Sequence, residues 1–132
     1  MVELLISVDG LPPKKSEAKS LWAADHPHAN AVRKLLVGVH DKWAGNAPLE
    51  APVGLDLILW APDNADLGDA TNYLGGIGDV LQARRPTNID LGHLGGLAQV
   101  AIVKDDRQVR RISYELIVSS PSRYRVRVWE LH

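Results

Sequence analysis

Apolar positions along the chain recur with two periods. Residues 2–8, VELLISV, read as a strand, and GLPPKKSEAKS after them as a loop, because Pro12-Pro13 fits neither a ladder nor a helix interior. Val32, Leu35, Leu36, Val39 and Trp43 follow the 3.6-residue period, so residues 27–43 read as an amphipathic helix. Pro27 suits its first turn and Gly45-Asn46 suit its end. Val53, Leu55, Leu57 and Leu59 alternate within VGLDLILW, which predicts a second strand over 53–60. APDNADLGD is a loop, and helical spacing returns in Tyr73, Leu74, Ile77, Val80 and Leu81, a second helix over 69–82.

Residues 84–96 read as loop with room for one short turn. AQVAIVK, 98–104, reads as a short strand, RQVRRISYELIV, 107–118, as a long one, and YRVRVWEL, 124–131, as a half-exposed last one. The predicted order is β-α-β-α-β-β-β. It implies a single α+β domain over residues 1–132, a mixed or antiparallel sheet with two main helices packed on it.

The second helix carries a puzzle. Gly75, Gly76 and Gly78 stand where a helix favours Ala or Leu. Each costs about 1 kcal/mol against Ala in a helix interior. Either the helix lies close against another backbone, or it lets a phosphate strand come near.

Composition narrows the classes. The chain has 132 residues, enough for one domain with a core, and 45% of them are apolar, which argues for a globular protein. No cysteine occurs, so disulfides, thiolate metal sites and cysteine nucleophiles are excluded, and a cytoplasmic location fits. MVELLISVDG lacks the basic start of a signal peptide, and no apolar run approaches the length of about 20 residues that a membrane helix needs. Net charge is −1, which argues mildly against a dedicated nucleic-acid binder, but the charge is segregated. Lys14, Lys15 and Lys19 cluster early, Arg84-Arg85 follow the glycine helix, and Arg107, Arg110, Arg111, Arg123, Arg125 and Arg127 crowd the last third. Acids concentrate in 56–79.

Among the acids, Asp63, Asp66 and Asp69 recur every third residue, not the every-second spacing of a calcium loop. Asp69 reads as a helix N-cap. Asp79 lies ten residues on, about 15 Å along a helix axis, so the two cannot share one metal and Asp79 reads as a structural or second-site acid. Asp105-Asp106 in KDDRQV opens a strand, where adjacent like charges repel. They read either as a turn or as Mg²⁺ ligands, since Mg²⁺ takes hard oxygens, usually one or two carboxylates with water and phosphate. His26 and His28 in DHPHAN lack the spacing of a metal pair on a helix. GGIGDVL is not a dinucleotide fingerprint, because Leu81 stands at its last glycine position, and no P-loop occurs.

Three blocks together resemble the RusA-type Holliday-junction resolvases, small dimeric, magnesium-dependent endodeoxyribonucleases. GLPPKKS is similar to that family's N-terminal proline-proline loop. DATNYLGGIGDVL is similar to its D-x-D-N-x-x-K-x-x-x-D-A-L helix, and DDRQV to its D-D-x-Q-V block. The blocks fall in the family's order over nearly the whole chain, with an insertion of about a dozen residues near 86–97. Asp69 matches the family's first essential acid, Asn72 its asparagine, Asp79 its later aspartate, and Asp105 and Asp106 its paired acids, the second of them catalytic. Thr71 stands where the family has its second catalytic aspartate, and Gly75 where it has a lysine.

The resemblance implies metal-assisted phosphodiester hydrolysis in branched DNA by a homodimer. Asp69 and Asp106 would hold Mg²⁺, with Asp105 or Asp66 in place of the missing acid, and Lys14, Lys15, Arg84 and Arg85 would meet the DNA backbone. The alternative is a nuclease fold that has lost catalysis and binds DNA or protein. A third reading is an unrelated small α+β domain. The resemblance makes one geometric demand, that Asp69 and Asp106 come within reach of one cation.

Overall fold

A computed structural model describes residues 2–15, 20–65 and 67–131. Lys19 and Asp66 lie outside the described residues. In chain order the elements are β1 (Glu3–Asp9), α1 (Ala29–Trp43), β2 (Val53–Ala61), α2 (Ala70–Leu81), β3 (Val109–Val118) and β4 (Arg123–Glu130), with 3₁₀ segments at Gly92–Gln99 and Asp106–Gln108. The α+β expectation holds, with a mixed sheet and two α-helices on it.

The four strands lie in the order β1-β4-β2-β3. β4 is antiparallel to both its neighbours, while β2 and β3 run parallel. A parallel pair needs a long crossover, and α2 with the segment after it supplies one.

Period-two patterning decides which face is covered. Leu4, Ile6 and Val8 of β1 stand opposite Val128, Val126 and Tyr124 of β4, which stand opposite Leu55, Leu57 and Leu59 of β2. All are buried, in one core with Val32, Leu35, Leu36 and Val39 of α1 and Tyr73, Ile77, Val80 and Leu81 of α2. Each large apolar side chain fully buried there contributes about 1.5–3 kcal/mol.

The other face explains the late arginines. Arg127 pairs with Glu3 at 3.0 Å and Asp56 at 3.1 Å and lies 4.2 Å from the Trp129 ring. Arg123 lies 4.9 Å from the Trp60 ring. These cations belong to an uncovered sheet face, made of side chains that alternate away from the core.

One predicted strand is absent. AQVAIVK begins inside the 3₁₀ segment, which bends at Gly95 (φ +57°), and Val103 makes only isolated bridges to Leu49 and Gln82. Its backbone bonds go to chain ends instead: Ile102 N–H donates to Leu81 O at 2.8 Å, and Leu49 N–H donates to Ile102 O. Ala101, Ile102 and Val103 are buried like strand residues, which is why the pattern imitates one. The helix predicted from Pro27 starts at Ala29, because the His28 N–H donates to His26 Nδ1 at 2.9 Å and closes a turn before it. Among the described residues no helix is long and apolar enough to cross a membrane.

Candidate functional site

The glycines of α2 seat the proline-proline loop. A β-carbon at Gly76 would stand 2.8 Å from the Pro13 carbonyl carbon, closer still to its oxygen, and 3.1 Å from the Lys15 nitrogen. Only glycine admits a backbone that near. The Lys15 N–H donates to Asn72 O at 3.2 Å and ties the loop to the helix. At Gly75 the space is filled by the Lys15 side chain, whose Cδ lies 3.4 Å from a β-carbon built there. Gly78 faces the Asp106 Cβ, 3.8 Å from a β-carbon built there. The glycine stripe thus receives a loop on one flank and an acid on the other. Of the two readings of these glycines, close backbone packing is the one observed.

Asp106 is fixed by two glutamines. Its N–H donates to Gln82 Oε1 at 3.0 Å, just beyond the end of α2. The Gln108 amide is filled on both sides. Oε1 accepts from Lys104 N–H and Asp105 N–H, each at 2.9 Å, and Nε2 donates to Leu49 O at 2.8 Å and Ala51 O at 2.9 Å. Asp105 caps the 3₁₀ turn: its Oδ1 accepts from Arg107 N–H at 2.9 Å, and Arg107 Nε and Nη2 donate to its two oxygens. Those bonds hold the Asp105 carboxyl down at about 2. The paired acids therefore divide their work. Asp105 shapes the turn and Asp106 faces the cleft. Sequence reasoning passed over Gln82 and Gln108, although Asp105 with a Gln three residues later is a capping-box signature.

Two clefts meet at Asp106. An open one of about 630 Å³ is bounded by Trp22, Asp79, Gln82, Arg84, Asn88 and Asp106. A smaller one of about 270 Å³ runs between α2 and β3, past Lys15, Thr71, Gly75, Gly78, Asp106 and Ile112. Asp79 is the α2 acid that senses Asp106. Burial raises its pKa above the ordinary carboxylate value, Lys15 lowers it, and the charge on Asp106 raises it further. Lys15 Nζ stands 3.6 Å from Asp79 Oδ2.

Asp69 is elsewhere. It precedes the first turn of α2, exposed and without a side-chain cap bond. Nine residues separate it from Gly78, about 14 Å along the axis, and Asp106 stands against Gly78. Two ligands of one Mg²⁺ need oxygens within about 4 Å of each other, given bonds of about 2.1 Å. Asp69 and Asp106 are not brought together; Asp79 and Asp106 are.

The four basic residues are also parted. Lys14 runs beside Gly68, at the far end of α2, and its charge helps lower the His28 pKa after burial, the larger cause. Lys15 and the exposed Arg84 border the clefts. Arg85 turns inward: its guanidinium donates to the carbonyls of Gln82, Ala98 (3.2 Å) and Val100 (2.6 Å) and lies 4.0 Å from the Trp22 ring. Burial lowers its pKa to about 10. It latches the 98–100 segment.

Among the described residues no group of three or more His, Asp or Glu side chains is arranged around one point. Asp79 and Asp106 match the smaller set that Mg²⁺ accepts, two carboxylates with water completing the shell. Their mutual repulsion is what a bound cation would relieve. No protein-family model matches this chain, and no curated protein matches it significantly.

Proposed function

We propose that this chain is a magnesium-dependent nuclease of branched DNA, such as a four-way junction, acting as a cytoplasmic homodimer. One observation carries the reading: Asp106, in the block DDRQV, stands against the glycine face of α2 beside Asp79, with Lys15 and Arg84 at the margins. Asp79 and Asp106 would hold the Mg²⁺, which when bound supplies charge neutralisation at a phosphodiester and a more acidic water. Gln82 and Gln108 keep Asp106 in register. Arg84 meets the DNA backbone from an exposed position, a contact that orients without reading sequence. The choice of branched DNA follows the resemblance in the three sequence blocks.

β3 supports the dimer. It is an edge strand, and Ile112, Leu116 and Val118 are 57%, 41% and 63% exposed on it. A two-fold pair through this edge would cover those side chains, and Ile112 also lines the smaller cleft. A second reading, a DNA-binding module without catalysis, is favoured by Thr71, which lines that cleft where the resembled helix carries an acid.

The test is a labelled four-way junction incubated with the protein in Mg²⁺, beside Asp106→Asn. The expected result is paired nicks, abolished by EDTA and reduced about 100-fold or more in the variant. A salt-sensitive shifted band without nicks would establish the binding module. Neither nicks nor a shift would refute both.

A further inference from the structure

Lys15 reaches Asp79 by an indirect route. It comes from the loop docked across α2, held there by Pro13 against Gly76 and by its own N–H on Asn72 O. Its stem crosses Gly75, where any side chain would crowd it. The resulting ion pair is long, at 3.6 Å, and the Lys15 side chain is 56% exposed, so the pair contributes little to stability. Three glycines in one helix are a large concession for so weak a bond.

The concession makes sense if the ammonium has a second partner. An ammonium has three donors in rotation, and Asp79 engages it from one side only. The rest of it faces the cleft that Asp106 and Thr71 also line. A divalent cation on Asp79 would compete with Lys15 for that carboxylate, and the ammonium, still carried by its stem over Gly75, would be left facing whatever anion the cleft admits. Beside two carboxylates and a cation, that anion is a phosphodiester.

We infer that Lys15 is the phosphate-contacting residue of this cleft, delivered by the proline-proline loop and exchanging Asp79 for a non-bridging phosphate oxygen when DNA and metal are bound. The inference rests on the nuclease reading above. Charge-assisted bonds of this kind are short and strong in a partly shielded site.

The test compares wild type, Lys15→Met and Lys15→Ala/Gly75→Lys. Met keeps the stem over Gly75 and removes the charge. The double variant returns an ammonium to the same place from the helix side. Junction binding is followed in EDTA across a salt series, and cleavage in Mg²⁺. Lys15→Met is expected to keep wild-type melting behaviour, to lower the slope of log affinity against log salt by about one, and to cleave about 100-fold more slowly. The double variant is expected to regain at least tenfold of that loss. Lys15→Met within twofold of wild type in both assays would overturn the inference and leave the nuclease reading standing, as would a folded double variant that regains nothing. A wild-type protein that neither binds nor cleaves would overturn both.

Discussion

Gly75, Gly76 and Gly78 resemble one another in sequence but meet different neighbours. At Gly76 a β-carbon would strike the Pro13 carbonyl, which is backbone and cannot turn aside. At Gly75 it would touch only the flexible stem of Lys15, at 3.4 Å. Gly76→Ala is therefore expected to destabilise the protein by about 1–3 kcal/mol despite the better helix former, because overpacking outweighs propensity. Gly75→Ala is expected to stabilise it by up to about 1 kcal/mol. Urea unfolding midpoints of the two variants check both signs, and equal shifts would show that propensity alone governs the helix. The puzzle these glycines pose is visible in the sequence, but its answer is not. Nothing in the order of residues says that Pro13 comes to lie against Gly76.

At the scale of elements, the turn Asp106–Gln108 decides where the acid points. Gln108 supplies two acceptor and two donor bonds to backbone groups of three separate stretches. Gln108→Ala would remove all four, at an expected cost of about 2–4 kcal/mol. Gln108→Glu keeps the shape but sets a carboxylate against the Leu49 and Ala51 carbonyls. It is expected to be nearly as damaging at neutral pH and to recover as acid restores a donor. Thermal denaturation of the two variants between pH 4 and 7 checks this, and a Glu variant as stable as wild type at pH 7 would contradict it. The elements themselves were largely legible. Alternation in β1, β2 and β4, and the 3.6 period in both helices, put the apolar residues on the faces that are buried. AQVAIVK misled because buried apolar residues look alike whether their backbone bonds reach a sheet neighbour or the ends of distant segments.

Across the whole molecule, charge is sorted by face. The late arginines lie over tryptophans and acids on the uncovered side of the sheet. The cations at the acid pair come instead from the loop after β1 and the end of α2. Composition located the clusters of charge but not the face each would join. The candidate site was legible to the same degree. DDRQV marked Asp106 correctly as a cleft residue, and helix spacing correctly kept Asp69 and Asp79 apart. Which of them meets Asp106 depends on how the turn before β3 packs on α2, a tertiary contact with no local signal. The central claim is thus that Asp79 and Asp106 form the cation site. Residue-resolved NMR with Mn²⁺ added in small steps tests it most directly. Amide signals of residues 78–82 and 105–108 are predicted to broaden first, with those of 68–72 persisting to higher Mn²⁺. Broadening that begins around Asp69, or spreads evenly over the exposed acids, would contradict the claim.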